Sequence, residues 1–499
     1  MNARFVASRC ARPSLAVALG FAGCAVGPNY VPPEAPKGSG YTSSTDPRIT
    51  AVAEGQVQRF EVGKQIAADW WRLFKNPKVD AFVAESMSDN PSLQAAQARL
   101  RQSQDVLRAG YGVFFPQIAG NAGASRQTSN PRLMGSSAPN SVFNLFTLSA
   151  SVSYALDIWG GQRRQIEGLR AQAEAQRYNV FGTYIMLAGN VVNTAIAQAA
   201  YRAQVESTEG LIALVKDQVS IAHAQAEAGT VPFSTVLSLQ SELASTQATL
   251  PALRQKIDEA NHLLATLLGR APTDFSSAAG SAGLDIKDFK LPEDLPLSLP
   301  SELVHQRPDI LLAEAQLISA NAQIGVATAA MFPSLTLSST VGVDSTSASK
   351  VLSADSLFWS IGSNLAGPIL DGGTRWYQRR AAIEAHDAAL ASYRQTVLNA
   401  LAQVADILRA LEHDAETLSA QSDAVHATLD ALQLAQINYQ AGIATYLQLL
   451  IADQQYHQAT LAHVQAQAQR LQDTVALYVA LGGGWWNVPK SGEGSPRRL

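Results

Sequence analysis

Two regions of the chain alternate apolar and polar side chains with a period of two. From Phe146 the even positions are Phe146, Leu148, Ala150, Val152, Tyr154 and Leu156, with Thr147, Ser149, Ser151 and Ser153 between them. Further on, Leu335, Leu337, Val341 and Val343 alternate with Ser334, Thr336, Ser338 and Thr340, and Leu357, Trp359, Ile361 and Leu365 follow. A pleated strand throws successive side chains to opposite faces, so each stretch reads as a strand with one oily and one small, polar face. Four strands are predicted, over about 114–127, 143–157, 332–344 and 356–370; the first is rich in Gly and Ala and rests mainly on analogy with the third. The links Thr128–Ser141 and Asp344–Ser356, rich in Ser, Asn and Pro, read as solvent loops.

Around the strands the period becomes helical. Residues 160–228 and 372–441 contain no proline, and 69 or 70 residues of helix would each be about 100 Å long. Returning helices are predicted over 232–268 and, after a proline-rich break at Arg270–Pro300, over 308–330. The two together nearly match one long helix, so each long helix is expected beside two shorter ones stacked end to end, with the break forming a collar outside them. Val236, Leu243, Leu250, Ile257 and Leu264 recur every seven residues, with Leu239, Leu253 and Leu267 at the second seam position, which predicts coiled-coil pairing. The corresponding seam, Leu447, Leu450, Leu461, Val464, Leu471, Val475 and Tyr478, is interrupted by Gln454 and His457.

These elements occur twice. Asn90-Pro91 and Phe115-Pro116 recur as Arg307-Pro308 and Phe332-Pro333 at an offset of 217. Gly160-Gly161 recurs as Gly372-Gly373 at 212, and Ala228-Gly229 and Leu268-Gly269 recur as Ala441-Gly442 and Leu481-Gly482 at 213. Such a period is far longer than a solenoid unit of about 20–50 residues and indicates two copies of a substantial domain.

Composition narrows the function. The 499 residues carry a net charge of −4, with only 16% charged positions, which is no footprint for nucleic acid. No HExxH, GxSxG or P-loop is present, so no enzyme activity is expected. Arg4, Arg9 and Arg12, then Leu15 to Phe21, then Ala22-Gly23-Cys24 follow the basic, apolar, small order of a secretory signal. Small residues before Cys24 resemble a bacterial lipoprotein signal, with Phe21 where Leu is usual; the alternative is ordinary cleavage with a free thiol. Only Cys10 and Cys24 are present, so a chain cleaved there could form no internal disulfide. The prolines of Gly27 to Pro36 predict an extended spacer. Beyond residue 24 no uninterrupted apolar run approaches a membrane helix, so any crossing is expected to be made of strands.

Four amphipathic strands are half too few for even the smallest membrane barrel, which needs about eight. Unpaired edges in lipid cost several kcal/mol per backbone group. Closure is therefore expected from further copies of the chain, three giving twelve strands and an open lumen. Phe114, Phe115, Phe143, Phe332, Phe358 and Trp359 fall near strand ends, where aromatic girdles would lie. A soluble hairpin layer packed on helices is the alternative.

The sequence resembles the outer-membrane factor family of TolC-like channels, within it the lipoprotein subfamily of multidrug efflux. The resemblance is carried by Gly23 to Tyr30, Trp70-Trp71 with Phe74 and Pro77, Leu297 to Leu303, Arg307-Pro308-Asp309-Ile310, Ala322 to Ala327, Phe332 to Leu335 and Ala480 to Trp485. It implies a homotrimer: an α+β membrane protein whose outer-membrane β-barrel continues into a periplasmic α-helical coiled-coil barrel with an equatorial collar. It also implies docking to a periplasmic adaptor and an inner-membrane transporter, with no cofactor beyond a lipid on Cys24. The organisation expected is a signal over 1–23, an anchored spacer over 24–40, equatorial parts over 41–78, 270–302 and 482–499, and repeats over 79–269 and 303–481.

The turns Gly229-Thr230-Val231 and Gly442-Ile443-Ala444 become adaptor contacts under this resemblance, though glycine at a turn needs no such role. Related proteins commonly read Tyr-Leu-x-x-Leu-Asp-Ala-Gln-Arg just beyond the second turn, and here the stretch is Tyr446 to Gln454. The family's gating acid thus falls on Ile451 and its arginine on Gln454. Asp453 lies two residues further, about 200° around the helix, and need not face a pore. The expected gate is apolar, made by Leu447 and Ile451. A type I protein-secretion channel and a periplasmic adaptor are the alternatives; the duplicated hairpin argues against the adaptor.

Overall fold

The computed structural model describes residues 25–36, 38, 40–42, 46–130, 135, 137, 139–274 and 283–487. The signal segment 1–23 and Cys24 lie outside them. In chain order the elements are β1 (Arg59–Val62), α1 (Pro77–Asp89), α2 (Pro91–Gly110), β2 (Gln117–Ser129), β3 (Ser141–Leu156), α3 (Gly161–Glu227), α4 (Phe233–Leu267), β4 (Asp294–Leu297), α5 (Pro300–Gln306), α6 (Pro308–Ala329), β5 (Ser334–Ser345), β6 (Leu357–Ala366), α7 (Thr374–Gln440) and α8 (Tyr446–Ala480). Both long helices, α3 and α7, are 67 residues and both returning helices, α4 and α8, are 35, as the duplication requires. The chain divides into two compact units, 25–33 with 101–175 and 313–393, and 34–100 with 176–312 and 394–487.

The first unit holds an antiparallel sheet of order β2-β3-β5-β6. Its register sets Ile118 opposite Val152, Leu148 opposite Val343, Val341 opposite Trp359 and Leu335 opposite Leu365, so the apolar positions of all four strands share one face. The other face carries Ser149, Ser151, Ser153, Thr336, Ser338, Thr340 and Ser360. Pairing of β3 with β5 joins the two repeats and leaves β2 and β6 as the edges. The first strand starts at Gln117 because residues 111–114 close as a 3-10 turn before Pro116, and the fourth stops at Ala366, before Gly367-Pro368. Phe143 pairs with Gln127 and Phe358 with Gly342, both on the polar parity, so these two do not belong to an apolar-face girdle. Phe332 instead stacks on Trp159, centroids 4.5 Å apart.

The segment read as a spacer is extended but fastened. Val26 donates its N–H to the Trp159 carbonyl at 3.0 Å. The Arg164 guanidinium reaches the Val26 and Gly27 carbonyls and the Asn29 side chain, and the Tyr30 hydroxyl donates to Glu314 at 3.0 Å. Gly27 takes φ +95° and lies so close to Gly325 that a Cβ would sit 2.6 Å from its Cα.

In the second unit the helix ends meet in a way that differs from the expectation. Asn90 caps α2 by accepting from Ser92 N–H at 2.8 Å while its amide donates to the Leu267 carbonyl at 2.9 Å. Arg307 donates to the Ala480 carbonyl at 2.7 Å and forks onto Asp309. So α4 ends against the start of α2, and α8 against the start of α6: stacking partners come from within one repeat, not from α4 and α6 across the proline-rich break. That break supplies β4, which pairs in parallel with β1, a four-residue sheet not predicted from sequence. The first heptad seam is buried or half-buried throughout, even across Pro251 inside α4. Near its start the second seam shifts: Leu447 is exposed and Leu449 and Ala452 are buried with Leu432. No apolar run in α3 or α6 is uninterrupted, but both contain windows whose mean hydropathy would suit a membrane span; 61% and 50% of those windows are buried, as in core helices.

Candidate functional site

Each repeat turns at a glycine in the left-handed region, Gly229 at φ +73° and Gly442 at φ +74°. The preceding helices close by Thr230 N–H to the Gln225 carbonyl, 2.9 Å, and Ile443 N–H to the Asn438 carbonyl, 2.8 Å, bonds that only such a conformation permits. Thr230 is exposed, Val231 and Ala444 are half-buried, and Ile443 projects with 77% of its surface free. Gln448 reaches back to Thr445 N–H at 2.8 Å and caps α8.

One turn into α8 the four candidate gate residues divide. Leu447 and Ile451, four apart, share one helix face and are 62% and 44% exposed. Asp453 lies elsewhere, 1% exposed, and accepts from Gln218 Nε2 of α3 at 2.7 Å. The Tyr446 hydroxyl donates to the same amide's oxygen at 3.3 Å, and Tyr439 donates to Gln225 at 3.0 Å. Gln454 is half-buried. The duplication offset of 213 places Ser234 and Ser238 of α4 at the positions of Leu447 and Ile451, and the first hairpin's exposed apolar pair, Phe233 and Leu237, falls one residue earlier.

Electrostatics follow burial. Burial pushes the Asp453 carboxyl up, opposed by the Gln218 hydrogen bond. Tyr446 is raised by burial and then by Asp453, and His457 is lowered by burial against the field of Glu242. Among the described residues no cluster of three or more His, Cys, Asp or Glu is arranged to hold a metal. Nothing in α8 alone could have shown that Asp453 is buried, because its partner lies 235 residues away.

The four-stranded sheet has one exposed apolar face, and the chain that forms it runs on into long paired helices in both repeats. The family model for outer membrane efflux proteins matches residues 83–270 and 299–483. The pyoverdine export outer membrane protein OpmQ of Pseudomonas aeruginosa is 30% identical, covering 87% of this chain and 92% of its own. The cation efflux system protein CusC of Escherichia coli is 28% identical over 96% and 99% of the two chains. Among solved structures, the outer-membrane channel OprN superposes with a TM-score of 0.82 at 28% identity, covering 93% of this chain and all of its own. The chain belongs to the outer membrane efflux protein family and serves as the outer-membrane channel component of an efflux pump.

Proposed function

We propose that three copies close one twelve-stranded barrel and that the helices form a periplasmic tunnel, giving small toxic compounds, drugs among them, a passive exit driven by an inner-membrane transporter. The observation that carries this reading is the pair of unpaired edges, β2 and β6, beside a face bearing exposed Ile118, Trp359, Ile361 and Leu365. Such edges are tolerated in lipid only when another chain completes the sheet. A periplasmic adaptor docks at Gly229-Thr230-Val231 and Gly442-Ile443-Ala444. No cofactor is needed beyond a lipid on Cys24; Ala25 is seated against Gly160, within a few residues of the end of β3, which would deliver an acyl chain beside the membrane-facing sheet. The gate is an apolar ring of Leu447 and Ile451, without a charged latch.

The reading is tested by drug susceptibility of a deletion strain complemented with wild type and with Cys24→Ser. Restored resistance with wild type is expected, and unchanged susceptibility to every compound class on deletion would remove the efflux claim. Planar-bilayer conductance tests the gate. Leu447→Ser and Ile451→Ser should raise it; no change in either would eliminate the apolar ring.

A further inference from the structure

Where α3 passes the helix joints of the second unit, a hollow of about 430 Å³ opens beside it. Asn90 and Leu267 bring the meeting point of α2 and α4 to one wall, Pro308 and Leu312 bring α6 to the other, and Gly182 and Met186 of α3 make the floor. Its size lies within the range of small-molecule sites, about 300–1,000 Å³. The floor is open because residue 182 has no side chain. The nearest atom to a Cβ there would be that of Pro308, at 3.9 Å, so packing does not require the glycine, and glycine inside a 67-residue helix is a cost relative to alanine. Met186, one turn on, leaves 53% of its surface free.

The hollow lies on the side of α3 away from the collar. Phe181 stacks on Trp485 with centroids 4.2 Å apart, Tyr184 packs against Trp71, and Ile185 lies against Gly483. At about 100° per residue, Asn179, Gly182, Met186 and Asn190 fall on roughly the opposite face. Both walls belong to the same chain as the floor, so the hollow does not sit at a free edge of the subunit.

Its lining is electrostatically quiet. Asp309 is the one acid or base of the Asp, Glu, Lys, Arg and His types among the described lining residues. Its carboxylate is taken up by the Arg307 fork at 3.0 and 2.7 Å and by the Ile310 N–H at 2.9 Å. Asn179, Asn190 and Ser92 supply uncharged donors and acceptors around the apolar floor. An ion entering would shed water without finding a free counter-charge, whereas a neutral molecule keeps polar partners and covers Met186, an adaptable, polarisable side chain.

We propose, on the reading that the helices enclose an exit tunnel with the collar outside, that this hollow is a waypoint on the tunnel's inner wall for uncharged amphiphilic solutes. A flat apolar body lies over Gly182 and Met186, and an amide or hydroxyl on the solute bonds to Asn179 or Asn190.

The test uses the purified full-length assembly in amphipol, free of lipid, with 2-naphthamide, 2-naphthoate and 2-naphthyltrimethylammonium as probes of one shape and three charges. Saturation-transfer NMR titrations should show the amide binding at least about five-fold tighter than either ion. Gly182→Phe, which fills the hollow, and Met186→Gln, a polar change at an exposed helical position, should each weaken the amide by about the same factor while assembly on gels is unchanged. Equal binding of the three probes, or unchanged amide binding in whichever of the two variants assembles, overturns the proposal. Drug susceptibility of the complemented deletion strain separates the two readings. Wild type that restores no resistance removes the exit duct, whereas restored resistance with unchanged amide binding in the variants removes only the waypoint.

Discussion

Gln218 of α3 and Asp453 of α8 are joined by a 2.7 Å hydrogen bond in which the amide donates and the buried carboxylate accepts. Tyr446 donates to the same amide, so the chain of donors runs Tyr446, Gln218, Asp453 and ends on an acid whose other oxygen has no partner. A terminal acceptor of this kind is held by one good bond at the cost of desolvation, which is why burial raises its pKa. The bond fixes the face α8 presents: with Asp453 turned to α3, Leu447 and Ile451 are left exposed.

Asp453→Ala removes the acceptor of the half-buried Gln218 amide and should cost about 0.5–1.5 kcal/mol of stability. Asp453→Asn, which keeps an acceptor, should cost less. A double-mutant cycle with Gln218→Leu should show a coupling of at least about 0.5 kcal/mol. If the two substitutions add without coupling, the hydrogen bond does not tie the helices. Conductance of Asp453→Ala should stay nearer wild type than that of Leu447→Ser.

A second, half-buried acid sets a pH dependence. Burial and a hydrogen bond with Asp473 push the Asp414 carboxyl up to about 8, partly opposed by Arg470. Arg470 is itself 1% exposed and donates to Gln58 at 3.1 Å and Thr50 at 3.3 Å. Because the folded pKa is raised, the folded state keeps a proton that the unfolded chain has lost between about pH 4 and 8. This group's contribution therefore falls as pH rises through that window and is constant above it. Relative to wild type, Asp414→Asn should gain in unfolding temperature as the pH is raised from about 5 to about 8.5, measured by circular dichroism. Equal differences at the two pH values would contradict the assignment.

The strands and long helices were legible because their signals are local. Period two over Phe146 to Leu156, proline-free runs, and Asn90-Pro91 as cap and first turn each state their conformation within a few residues. What escaped is decided by contacts across hundreds of residues. Asn90 with Leu267 and Arg307 with Ala480 choose which helix ends meet, and neither pair has a sequence signal beyond polar residues at helix starts. The β1–β4 sheet is four residues long with Pro296 inside it, too short and too irregular for a strand pattern. For the candidate gate, the apolar pair was readable from four-residue spacing, whereas the place of Asp453 required Gln218.

Fastening of the N-terminal segment makes a separate prediction. Gly27 both needs φ +95° and touches Gly325, so Gly27→Val is excluded twice, by backbone and by contact. Arg164→Ala removes the bonds to the Val26 and Gly27 carbonyls and to Asn29 without altering backbone conformation. Both variants should make residues 25–36 cleavable under limited proteolysis while the helical core resists. Wild-type protection of that segment in both would show that docking does not depend on these contacts.

The two faces of the sheet should respond oppositely to charge. Ile361 is 78% exposed on the apolar face, where lysine at membrane mid-depth costs about 2–4 kcal/mol per copy. In a trimer that penalty is counted three times, enough to deplete the assembled form. Ser360, one residue away, pairs with Thr340 on the small, polar face, and lysine there would meet water if that face lines a lumen. Ile361→Lys should therefore abolish heat-modifiable trimer on gels, while Ser360→Lys assembles and shifts the cation selectivity of the conducting form. Comparable assembly of both variants would mean that the exposed apolar face does not contact lipid.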